Sequence, residues 1–228
     1  MGPIGAVVGT ITAALVGFGG FKVYGFVQGI KEYRRSTMAA TVDIPPAWLQ
    51  LASAQPARPL QFFRINDEVM GGKSTSVLEF KSSTFFSPQG LLFSGVINTN
   101  GGGFCSCRTL GDDAPLGLSS NSTLLVDATG DDQLHKVTLM TADSWEMSQP
   151  TWAHDFVASK RRSTHKLRLA DFVPSKQGRM VKGVTLDAAK VTGLGFSLSL
   201  YTMAGEKNQQ FGDGPFSLEV HGVKEVLK

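Results

Sequence analysis

The chain has 228 residues, 42% of them apolar and 18% charged, with 26 glycines. That composition suits one turn-rich folded domain plus an appendage and excludes long disorder. The formal net charge of +3 is complete by residue 38, where Lys22, Lys31, Arg34 and Arg35 stand against Glu32 alone; of the 22 basic and 19 acidic side chains, 18 of each sign remain for the rest, a neutral body with no field to gather nucleic acid.

The first element is a membrane span. From Ile4 to Phe21 no residue is charged, and apolar character continues to Ile30 around Lys22 and Gln28. About 20 residues at a rise of ~1.5 Å cross a hydrocarbon core of ~30 Å. Lys22 lies late enough to reach a headgroup layer, with Tyr24 and Tyr33 as interfacial aromatics. No basic region precedes the run, which argues against a cleavable signal peptide. Lys31, Arg34 and Arg35 follow it directly, so the positive-inside rule keeps the rest of the chain on a matrix-, stroma- or cytosol-like side. Gly5 and Gly9, then Gly25 and Gly29, are spaced four apart, with Gly17 and Gly20 between. Small residues at that spacing let another transmembrane helix approach closely. Membrane lipids and neighbouring membrane subunits are the partners this segment predicts.

Residues 1–35 therefore read as a helix with a basic flank, and 36–59 as a proline-containing linker. Within the linker a short helix is expected around Ala47–Ala52, with Trp48, Leu49 and Leu51 making it sticky. From residue 60 to 228 short apolar runs alternate with Gly, Pro, Asn and Asp. Strands are predicted over 60–66, 75–81, 89–98, 103–109, 122–128, 134–141, 152–158, 165–170, 180–186, 193–202 and 215–221. Spacing near ten residues with no amphipathic helix predicts an all-β, two-sheet sandwich or jelly roll.

The most informative turn is Asn66-Asp67-Glu68-Val69-Met70-Gly71-Gly72-Lys73-Ser74. An Asn-Asp pair and a double glycine between two strands ask for unusual backbone angles. Asn66, Asp67, Met70, Gly71, Gly72 and Ser74 are the candidate shape-determining residues, and Arg108 is expected to fix the Asn66-Asp67 end by charge-assisted hydrogen bonds. Cys105 and Cys107 point to one face of a strand, too poorly placed to bond each other, and read as buried free thiols. Gly101-Gly102-Gly103 leads into a strand and so reads as a turn and not a phosphate loop. Asp112-Asp113 and Asp131-Asp132 read as acidic loop tips, with a structural Ca²⁺ as the lesser alternative. Lys160, Arg161 and Arg162, near Lys166 and Arg168, form the densest basic patch, a solvated loop or a surface for lipid headgroups. No cofactor, metal site or catalytic residue is expected.

Taken together, several ordered blocks resemble the complex I intermediate-associated protein 30 family. These are Asn66–Ser74, Phe93-Ser94-Gly95, Gly103-Phe104-Cys105-Ser106-Cys107-Arg108, Trp152 to Phe156, Asp171-Phe172-Val173-Pro174 with Gly178-Arg179, Val191–Phe196, and Gly214–Leu218. The resemblance covers about residues 60–222. It implies a galactose-binding-like β-sandwich and a non-enzymatic role in assembling or stabilising respiratory complex I at the mitochondrial inner membrane, with the domain in the matrix. Plastid relatives make a thylakoid photosynthetic complex, with the domain in the stroma, the alternative. From the residues alone, a membrane-tethered carbohydrate-binding sandwich using Trp145 or Trp152 is a further alternative.

Overall fold

Period-two alternation builds this domain: Leu124, Val126 and Ala128 turn inward from one strand while Thr123, Leu125, Asp127 and Thr129 take the other side. The computed structural model describes residues 41–52, 59–85, 88–110, 114–142, 144, 149–176 and 179–227. Among them the strands run β1 (Val42–Ile44), β2 (Leu49–Gln50), β3 (Leu60–Asn66), β4 (Thr75–Lys81), β5 (Gly90–Ile97), β6 (Phe104–Thr109) and β7 (Thr123–Thr129). The second half gives β8 (Gln133–Thr141), β9 (Thr151–Ala158), β10 (Ser163–Arg168), β11 (Val173–Lys176), β12 (Arg179–Met180), β13 (Val191–Ser199) and β14 (Gly214–Val226). Helical turns among the described residues are short 3₁₀ pieces such as Pro46–Trp48 and Asp67–Met70.

The strands form two sheets, as the alternation requires. The larger has the order β1-β3-β6-β13-β8-β9-β11-β12; the smaller runs β10-β7-β14-β5-β4, with β2 alongside β14. Every pairing is antiparallel except β2 with β14. Between the sheets lies one apolar core. Trp48 sets its ring edge-on to Phe62 and Phe196, with centroids 5.7 and 6.3 Å away, and Phe93 meets Phe216 at 4.9 Å. Such offset and T-shaped pairs add to simple area burial.

Two expectations need correction. Residues 42–50 are not a linker, since β1 pairs with β3 in the larger sheet and β2 with β14 in the smaller. Pro45 and Pro46 shape the corner between them, a 3₁₀ turn with proline in its first position, where the missing N–H costs nothing. Ile44, Trp48 and Leu49 are buried in the core, and the Trp48 Nε1–H donates to the Val220 carbonyl at 2.8 Å. The strand expected at 180–186 is also absent. The chain pairs earlier instead, as β11 with β9 and briefly with β12, and Met180 and Val184 are exposed, so their apolar spacing buries nothing. Pro174 is tolerated because β11 lies near the edge of its sheet.

Among the described residues no helix is long and apolar enough to cross a membrane. The expected span, with Gly5, Gly9, Gly17, Gly20, Gly25 and Gly29, lies outside the described residues.

Candidate functional site

The Asn66–Ser74 segment is not a hairpin turn. β3 ends in the larger sheet and β4 opens on the edge of the smaller, so these residues carry the chain across the core from one layer to the other. Asn66 is still extended; Asp67–Met70 wind one 3₁₀ turn; Gly71 then takes the left-handed conformation at φ +89°, which favours glycine. The Gly72 N–H donates to the Asp67 carbonyl at 2.9 Å and closes the turn.

Asp67 is fully buried (0% exposed) and its carboxylate is the hub. Oδ1 accepts the Ser74 N–H at 2.9 Å, and Oδ2 accepts the Ser74 hydroxyl at 2.7 Å. The Asn98 N–H donates to the same Ser74 Oγ at 3.1 Å, which ties in the end of β5. One residue back, the Ser76 hydroxyl donates to Asn66 Oδ1 at 2.6 Å, and Arg64 Nη1 donates to the Ser76 carbonyl at 2.6 Å. Two glycines make room for the carboxylate. A Cβ at Gly72 would stand 2.3 Å from Asp67 Cγ, and a Cβ at Gly102 would stand 1.9 Å from Asp67 Oδ2. A buried carboxylate is tolerable only when its oxygens are hydrogen-bonded, and here Ser74 supplies both donors from the far side of the crossover.

Arg108 has no part in this. It stands opposite Phe63 and Gly195, while Asn66 pairs with Cys105 further back along β6. The role expected of it falls to Ser74. Met70 ends the 3₁₀ turn, and Gly71 and Lys73 are exposed beside the exposed Glu68, so the crossover shows solvent a small outer surface over a sealed hub. In the sequence Gly102 is one of three glycines in a turn, and only the layer crossing brings it against Asp67.

The basic run is largely spent internally. Lys160 Nζ lies 3.4 Å from Asp132 Oδ2, Arg162 forks onto both oxygens of Asp127, and Arg168 pairs with Asp171 at 2.7 Å. Arg161 and Lys166 remain exposed without a carboxylate partner among the described residues. The acidic tip Asp131-Asp132 is likewise occupied. Asp131 accepts hydrogen bonds from the Ser217 N–H at 2.8 Å and from His135 Nε2 at 3.0 Å; burial pushes its carboxyl up, but these bonds outweigh it and hold it below the usual range. Asp112-Asp113 and Trp145 lie outside the described residues, and Trp152 is buried in the core, where it offers no platform to a sugar. Among the described residues no group of His, Cys, Asp and Glu could hold a metal ion.

Both cysteines are buried in the core. Burial first, then the charge of Asp67, pushes the Cys105 thiol up to about 12; burial does the same at Cys107, also to about 12. At pH 8 only about one thiol in 10⁴ is then ionised, and the thiolate is the reactive form. The expected result is that native protein resists iodoacetamide at pH 8, while both cysteines alkylate in denaturant. Alkylation of the native protein at the rate of a free thiol would show that this burial is wrong.

A family model described as Complex I intermediate-associated protein 30 matches residues 52–220. No curated protein matches the sequence. Among solved structures, the family 11 carbohydrate-binding module from Clostridium thermocellum, in complex with a β-1,3-1,4-mixed-linked tetrasaccharide, is 12% identical with a TM-score of 0.45, covering 71% of this chain and 88% of that one. An exo-β-agarase matches at 6% identity and a TM-score of 0.43, over 73% of this chain and 24% of that one. A protein in complex with β-1,4-galactotriose is 5% identical with a TM-score of 0.36, over 73% and 88% of the two chains.

Proposed function

Because the chain belongs to the Complex I intermediate-associated protein 30 family, we propose that it is a non-enzymatic accessory or assembly protein of a large bioenergetic membrane complex, respiratory complex I first. The observation that carries this reading is the family match itself, which runs through residues 52–220 and so takes in the Asp67 crossover and most of both sheets. The crossover fits a protein that supplies shape. Its charged hub is shut away from solvent and its hydrogen bonds are spent on holding two layers in register. The uncharged run at Ile4–Phe21, followed by Lys31, Arg34 and Arg35, supports a single membrane anchor that holds the sandwich on the matrix side of the mitochondrial inner membrane.

The test is mild detergent solubilisation of the source membranes, native electrophoresis and mass spectrometry of the bands. Comigration with mature complex I at constant ratio is the result expected of a resident subunit, and appearance only in smaller complex I subassemblies is that of an assembly factor. Comigration with a photosystem instead moves the protein to the thylakoid. If it runs alone, the proposal fails.

A further inference from the structure

At the end of the smaller sheet opposite the Asp67 crossover, the outer face carries positive charge that no described residue offsets. Lys166 on β10, Leu125 on β7 and Lys224 on β14 form one cross-strand row, and Arg168, Thr123 and Val226 form the next. Leu124, Leu167 and Val223 turn into the core, so these rows face outward, and Lys166, Lys224 and Val226 are exposed. Neither lysine has an ion pair or hydrogen bond among the described residues.

The neighbouring carboxylates are spent. Asp171 holds Arg168 at 2.7 Å, and Asp127, one outward row away, is forked by Arg162. Glu225 is buried and accepts from the Ser119 N–H at 3.0 Å, the Ala52 N–H at 2.9 Å and the Ser122 hydroxyl. Beyond β10 the chain turns through residues 169–172 into β11, and at that edge Arg179 and Lys182 are also exposed and unpaired among the described residues. Apolar side chains project from the same end. Leu227, just past β14, is 55% exposed, and Phe85, in the β4–β5 connection, is 95% exposed. Lys81 pairs with Gly90 and Leu91 with Val220, which puts that connection at the end where β14 finishes.

We propose that this end of the sandwich docks on the surface of an anionic lipid bilayer, with Phe85 and Leu227 entering the headgroup layer and Lys166 and Lys224 facing lipid phosphates. The occupant follows from charge and shape. The two lysines stand two strand spacings apart, about 10 Å, which spreads the charge over a surface. The apolar side chains project singly, without the continuous apolar centre that a protein interface buries. A headgroup layer accepts such single side chains beside cations. Residues 31–40, fully extended, span up to ~35 Å, so a domain tethered at Ile30 can lay this end on the bilayer its anchor crosses. This inference rests on the membrane anchor of the proposed function and adds a second contact that fixes how the domain stands.

The test uses the full chain reconstituted into phosphatidylcholine vesicles, with and without phosphatidylglycerol. An environment-sensitive dye is attached through Leu227→Cys, through Phe85→Cys, or through Lys73→Cys on the crossover as the control. Quenching by nitroxide-labelled lipid is read; Cys105 and Cys107 are buried and take no dye. The dyes at 227 and 85 should be quenched when phosphatidylglycerol is present, and the dye at 73 should not. Lys166→Gln with Lys224→Gln should lower the docked-to-free ratio about 25-fold, about fivefold per cation, and leave Tm unchanged. No quenching at 227 and 85 in either vesicle, equal quenching in both, quenching at 73 instead, or full docking of the double variant overturns the lipid surface. Each of these leaves the functional proposal standing, even where a protein partner covers this end in the native complex. If the wild-type chain does not insert into vesicles, the anchor fails and this inference fails with it.

Discussion

Replacing Asp67 with alanine should destabilise the sandwich by about 3–4 kcal/mol, because each donor left buried without an acceptor costs about 1–3 kcal/mol. Two donors are affected, the Ser74 N–H and the Ser74 hydroxyl, and only the hydroxyl has another partner, at Asn98. In a domain of this size that corresponds to a fall in Tm of about 10 °C. Asp67→Asn should cost less, since it keeps the shape and one carbonyl acceptor. Gly102→Ala carries the sharper expectation. The new methyl enters the space of Asp67 Oδ2, so the single substitution should cost about as much as a core clash, 1–3 kcal/mol or more. In the Asp67→Ala background the oxygen is gone and most of that cost should vanish. Denaturant unfolding of the full chain and the two single and one double variants gives the coupling directly. Additive effects would show that Gly102 and Asp67 are not jaw and hub, and the account of the crossover would have to be abandoned.

Trp48→Ala should cost about 3–5 kcal/mol, the range for removing a large aromatic from a core. The indole meets Phe62 and Phe196 and holds the Val220 carbonyl, so one side chain bridges β3, β13 and β14. The loss should spread beyond volume. Without the indole the corner at Pro45-Pro46 is held in the core by Ile44 and Leu49 alone, and the β1 and β2 pairings should exchange amide protons faster than the central strands. Trp48→Phe should fall between, losing the N–H bond and part of the contact. A Trp48→Ala protein within 1 kcal/mol of wild type, with β1 and β2 still protected, would mean that residues 42–50 contribute little to the fold.

Much of the architecture is legible from residues. The alternation in Thr123–Thr129 or Gly214–Val220 marks an inner and an outer face, and the glycines at 71 and 72 mark a break between strands. Alternation does not say which sheet a strand joins, and that was decisive at Asp67. A turn between strands of one sheet would leave the carboxylate in water, whereas a crossing between layers buries it and brings Gly102 against it. Pro45 and Pro46 are ambiguous for a related reason, since a corner between two sheets and a loose linker both use proline. The free charge of the basic run at 160–162 is not legible in the sequence either, because Asp127 and Asp132, which pair with Arg162 and Lys160, come from β7 and the crossing that follows it. The charge of Arg108 is visible in the sequence, but its position on the outer face depends on the pairing register.

The strand at the middle of the smaller sheet is β14, made from residues 214–226 and the last to come in chain order among the described strands. The β4–β5 hairpin and the β7–β10 pair have no shared neighbour until it arrives. During synthesis, therefore, every strand from β4 to β14 must leave the ribosome before this sheet can close, and contacts so distant in sequence form slowly. The inner faces of β5 and β7 stay uncovered for that interval, which makes the nascent chain, far more than the finished sandwich, the state that needs protection from aggregation.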